Sequence, residues 1–149
     1  MSDTHDFRQW RGLSQAIRDS CVVMVDPALG DVTSALNEYR RLGYQYGITA
    51  LSVLLCPALL IQSQPLAALE VIEQGLAIAD HNHERVFEAE LRRLKAKVLL
   101  TNRGDNARTE AESLLDQALN IARAQNARSL ELRAAADLAA LWIEEGGAT

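Results

Sequence analysis

The chain has 149 residues and a formal net charge of −5, with 48% hydrophobic but only 5% aromatic residues and three prolines. One domain of that length buries roughly two-thirds of its unfolded surface and needs no disulfide. The acidic balance argues against nonspecific binding to nucleic acid or to an anionic membrane, since both require a basic footprint.

Abundant Ala and Leu with few aromatics predict an all-α chain. The opening "MSDTHDFRQWRG" carries acids where a secretory leader needs positive charge. Cys21 and Cys56 form no C-x-x-C pair, so reduced thiols in a cytoplasmic protein are expected. A first helix is predicted around Trp10, Leu13 and Ile17, and a second around Ala28, Val32 and Ala35. The third, "ITALSVLLCPALLI" (Ile48 to Ile61), is shorter than the ~20 residues of a membrane span, so a buried helix kinked at Pro57 is expected. Ala68, Ile72 and Gly75 mark the fourth helix, Leu91, Leu94 and Val98 the fifth, and Ala111, Leu115 and Ala118 the sixth. A seventh, from Leu130 to Glu144, carries Ala135, Leu138 and Trp142. The turn signals "DPALGD", "SQP", "HNHER", "NRGD" and "AQNARS" fall between these segments or at their starts.

The even-numbered helices share a heptad: "TSALNEY" (Thr33 to Tyr39), "EQGLAIA" (Glu73 to Ala79) and "DQALNIA" (Asp116 to Ala122). An interval of about 40 residues is that of stacked helical hairpins. In each helix a small residue, a larger one and a second small one follow at steps of four and three, on one face. The small residues admit a neighbouring backbone and the larger one fills the space between. The pattern predicts seven antiparallel helices in three and a half pairs, forming one continuous domain over residues 1–149, with Trp10 and Trp142 in its core.

This array resembles a tetratricopeptide array with a longer repeat. It is also similar to the helical-repeat region toward the C-terminus of large bacterial signalling proteins that join an ATPase module to adenylate cyclase or LuxR-type regulatory domains. "EQGLAIAD", "FEAELRRLKAKVLL" (Phe87 to Leu100) and "DQALNIARAQNARSLELRAAADLAALW" (Asp116 to Trp142) carry the likeness. The resemblance implies a right-handed superhelix, no cofactor and binding of a protein or peptide partner. The chain lacks a G-x-x-x-x-G-K-[ST] phosphate loop, so no enzymatic activity carries over.

Placing the odd-numbered helices as in tetratricopeptide arrays implies a concave face presenting Arg8, Arg11 and Gln15, then Thr49, Ser52 and Cys56, then Ala89, Arg92 and Ala96, and finally Arg133, Ala136 and Ala140. Arginines exceed acids there, which suits an acidic peptide or a carboxylate. His81, His83 and Glu84 lack the ligand number of a stable zinc site and read as a polar joint. Glu88 with Arg92 and Glu90 with Arg93 read as pairs on a solvated face. The seventh helix is apolar on more than one side, and no later helix covers it in this chain. Leu130, Leu138, Leu141 and Trp142 are therefore expected to meet a second copy, giving a homodimer, or a neighbouring domain. The function expected is a non-enzymatic interaction scaffold in bacterial signalling, with a small-molecule-sensing regulatory module as the alternative.

Overall fold

A computed structural model describes residues 3–27, 32, 37, 47–102 and 106–146, with side chains from residue 10 to residue 144 within those ranges. The protein is all-α. The helices are α1 (Asp3–Val25), α2 (Ile48–Ile61), α3 (Pro65–Asn82), α4 (Glu88–Asn102), α5 (Ala107–Ala124) and α6 (Arg128–Gly146), and a 3-10 turn (Arg85–Phe87) precedes α4. Val32 and Asn37 are also helical and Val32 is fully buried, while Ala28, Ala35 and most of the "TSALNEY" heptad lie outside the described residues. No described helix is long and apolar enough to cross a membrane.

Each of three joints ends on a residue at positive φ: Ser63 at 58°, His83 at 56° and Asn126 at 54°. That left-handed residue turns the chain so that amides beyond the helix satisfy its last carbonyls. The Gln64, Glu84 and Ala127 amides accordingly donate to Leu59, Ala79 and Ala122. Pro65 opens α3, where its missing N–H has no partner to lose. α2 continues through Pro57.

α1 packs on α2, and every later helix packs on the one before it. α2 also touches α4 and α4 touches α6, whereas α3 and α5 do not meet. Two apolar clusters result. The larger joins Ala16 and Val23 of α1 to Leu51, Leu55 and Leu59 of α2, Ala68 and Ile72 of α3 and Leu91, Leu94 and Val98 of α4. The smaller joins Ala96 of α4 to Ala111, Leu114 and Leu115 of α5 and Leu138 and Leu141 of α6. α4 belongs to both and is the pivot of the molecule.

The small–large–small pattern is buried where it is described: Ala68, Ile72, Ala111 and Ala118 are fully enclosed and Leu115 nearly so. Gly75 has no room for a side chain, because a Cβ there would stand 2.8 Å from Ser52 Oγ and 3.3 Å from a Leu91 methyl. The tryptophans depart from expectation. Trp10 is 65% exposed and Trp142 51% exposed, because no described element packs over their face of α1 or α6. The Trp142 indole instead donates to the Glu112 carboxylate at 2.6 Å.

Candidate functional site

The joint between α3 and α4 is pinned on two sides. Thr49 on α2 donates its hydroxyl to Glu84 at 3.0 Å, and the Gln125 amide at the end of α5 donates to the Arg85 carbonyl at 2.6 Å. Between this joint and the start of α6 lies a groove of about 680 Å³. Val53, Val86, Phe87 and Leu130 give it apolar walls, and His83, Arg85, Glu90, Gln125, Ser129 and Arg133 give it polar ones. Val86 is 70% exposed.

Beneath the groove an ionic network links α4 to α6. Glu90 is only 4% exposed and receives Arg93 at 2.8 Å and Arg133 at 3.2 Å. Arg93 reaches on to Asp137, which also meets Lys97 at 3.7 Å. Burial by itself raises the Glu90 carboxyl, but the hydrogen bonds and charge of Arg93, helped by Arg133, outweigh it and hold the group below the usual carboxylate range. Arg93 is held firmly charged, since Glu90 and Asp137 outweigh the cost of its burial. The Cys56 thiol is pushed up to about 12, mainly by burial, and so remains protonated and unreactive at neutral pH.

Glu90 and Arg93 thus depart from the solvated face the sequence implies: they lie in the α4–α6 interface, where a two-residue helical pair has become a cross-helix lattice. Glu88 and Arg92 do form their expected pair, at 2.9 Å.

The residues expected to line one concave face are dispersed. Arg133 reaches the groove, with its side chain 59% exposed. Arg92 lies in a separate hollow of about 260 Å³ beside Arg85, Asp80 and Glu88, and its guanidinium is already taken by Glu88 and Gln117. Ser52, together with Thr49, Cys56, Ala89 and Ala96, is buried between helices rather than open to a groove. The small side chains that fit a groove lining equally fit a tight helix contact, and here the contact prevails. Arg11 is exposed on α1, Gln15 donates to Asp19 at 2.9 Å, and the Arg8 side chain lies outside the described residues.

Of the expected apolar terminal face, Leu138 and Leu141 are buried within the chain against α4 and α5, Leu130 is half-buried at the groove, and Trp142 alone stands largely in solvent. Arg85, Val86 and Phe87 were not singled out by periodicity, because they belong to a connector between repeats. Two apolar residues in succession after "HNHER" begin the only signal that marks them. His81 and His83 are exposed, and among the described residues no three His, Cys, Asp or Glu side chains group closely enough to hold a metal ion.

Compared with protein-family models, curated proteins and solved structures, the chain matches none.

Proposed function

We propose that the chain is a tetratricopeptide-like, non-enzymatic interaction module that grips an acidic peptide segment of a bacterial signalling partner. The stacking supports this reading. The three-residue joint between α2 and α3 suits antiparallel neighbours, and contact along the row α1, α2, α4, α6 with separation of α3 from α5 is in keeping with a curved superhelix of hairpins. The groove is the observation that carries the ligand class. Arg85 and Arg133 stand on its rim above the apolar Val86 and Phe87; each gives one nitrogen to a carboxylate of the chain, Glu88 at 3.3 Å and Glu90 at 3.2 Å, yet their side chains remain 64% and 59% exposed. Guanidinium forks bind carboxylates in a plane, and the apolar wall takes the aliphatic residue beside them.

Fluorescence anisotropy with labelled peptides tests this directly. Peptides of alternating Glu and Leu are expected to bind, with affinity falling as salt rises, and paired substitution of Arg85→Glu and Arg133→Glu is expected to abolish binding. Equal affinity for a Lys–Leu peptide ends the proposal. A small-molecule sensor is the second reading, favoured by a groove volume within the range of metabolite sites. Thermal-shift screening against metabolites that carry no carboxylate separates the two, since a grip built on guanidinium–carboxylate contacts gains no stability from them.

A further inference from the structure

α6 has two apolar faces, only one of which is used inside the chain. Ala134, Leu138 and Leu141 point into the core. On the opposite side Leu132, Ala136, Ala139 and Ile143 follow one another at steps of four, three and four, which aligns them along the helix. All four are exposed, Leu132 at 71% and Ile143 at 75%. Such a stripe is the seam of a two-helix coiled coil, with Leu132 and Ala139 at one core position of the heptad and Ala136 and Ile143 at the other.

We infer that a second copy of this chain covers the stripe, with the two α6 helices antiparallel about a two-fold axis between Ala136 and Ala139. The stripe reads large, small, small, large at the same spacing from either end, so it is complementary to itself when reversed. Leu132 then meets the partner's Ile143, and Ala136 meets the partner's Ala139. The alanines allow the axes to approach to about 8 Å, and the leucine and isoleucine lock the two ends.

Charge selects the same orientation. The start of α6 carries Arg128 and Arg133, with side chains 83% and 59% exposed, against one acid, the largely covered Glu131 that already pairs with Arg128, which leaves a net basic start, while Glu144 stands exposed near its end. Antiparallel pairing sets the basic start of each helix against the acidic end of the other, and each arginine also lies toward the C-terminal carbonyls of the facing helix. A parallel pair would bring the arginines together. The seam extends about 16 Å at 1.5 Å per residue, so the interface is small and the dimer weak. Because the arrangement is isologous, it closes at two copies. It does not depend on the peptide reading of the groove.

Light scattering of the full chain after size exclusion, at roughly 100 µM, is expected to give twice the mass of one chain. Leu132→Glu with Ile143→Glu is expected to weaken dimerisation at least about 100-fold while leaving the helical circular dichroism intact, as both residues lie away from the core. Cross-linking fixes the orientation in a Cys21→Ser background. Mixing Leu132→Cys chains with Ile143→Cys chains and oxidising them should yield the mixed disulfide above either homodimer. Any of three results overturns the inference: a monomer at that concentration, an open series of larger assemblies abolished by Trp10→Ala, or a Leu132 homodimer as the main cross-linked product.

Discussion

Ile72 on α3 and Trp10 on α1 both fall on a three-and-four helical spacing, yet Ile72 is fully enclosed and Trp10 is mostly in water. The same contrast separates the interior helices from the outermost ones. α2 to α5 bury their stripes between neighbours and expose large apolar residues only at the α2–α3 joint, Ile61 and Leu66, whereas α1 leaves Trp10, Ile17 and Met24 exposed and α6 leaves Leu132 and Ile143 exposed. Among the described elements a helix inside the stack is flanked on two sides and one at its end on a single side, so identical spacing acquires different energetics. Periodicity specifies which residues share a face, and burial of that face depends on what lies opposite.

The contrast can be broken most forcefully at Ile72. Ile72→Ala is expected to lower the unfolding free energy by about 2–5 kcal/mol, read from the chemical-denaturation midpoint, because the cavity it opens lies between α2, α3 and α4. A loss below 1 kcal/mol would mean that the interior is no better packed than the ends.

Glu90 comes next. Glu90→Gln leaves Arg93 with only Asp137 as a charged partner in an interface where its side chain is 11% exposed, and should cost roughly 2 kcal/mol at neutral pH. Its folded carboxyl titrates below the ordinary range, so its contribution is fully present at neutral pH and disappears as pH falls through that lowered value. The gap between wild type and variant should therefore narrow in acid. A gap constant from pH 7 to pH 3 would show that charge contributes nothing.

Gly75→Ala is a smaller effect. The new methyl meets Ser52 and Leu91, and overpacking of about 1–3 kcal/mol exceeds the helix-propensity gain of about 1 kcal/mol. The expected net loss is about 1 kcal/mol, and a higher melting temperature would show that α2 and α3 have room to separate. Smallest of all, Trp10→Ala should alter stability by less than about 0.5 kcal/mol, measured in dilute solution by the same unfolding titration. A buried tryptophan would cost several times more.

Much of the fold was legible in the residues. The segment Ile48 to Ile61 forms a helix with the bounds its apolar run suggests, and the joints at Ser63, His83 and Asn126 fall within "SQP", "HNHER" and "AQNARS". The candidate site was much less so. Of the six residues assigned to a binding face, only Arg133 among the five with described side chains lines the groove, and Ser52 proves to be a spacer opposite Gly75. Ser52, Ala89 and Ala96 have side chains small enough for either an open surface or a close helix contact, and composition does not distinguish the two. The groove itself rests on Arg85, Val86 and Phe87, a connector without periodicity.

Sequence alone determined the described helices, the joints at Ser63, His83 and Asn126 and the Ala68–Ile72–Gly75 and Ala111–Leu115–Ala118 packing, because these follow from backbone propensity and spacing within single segments. Tertiary structure decided the rest: that Glu90 and Arg93 lie within an interface, that the tryptophans remain in water, and that Arg85 and Arg133 come together across forty-odd intervening residues. Each of those outcomes depends on the element placed opposite, and the desolvation and Coulomb energies that follow exist only once two distant segments meet.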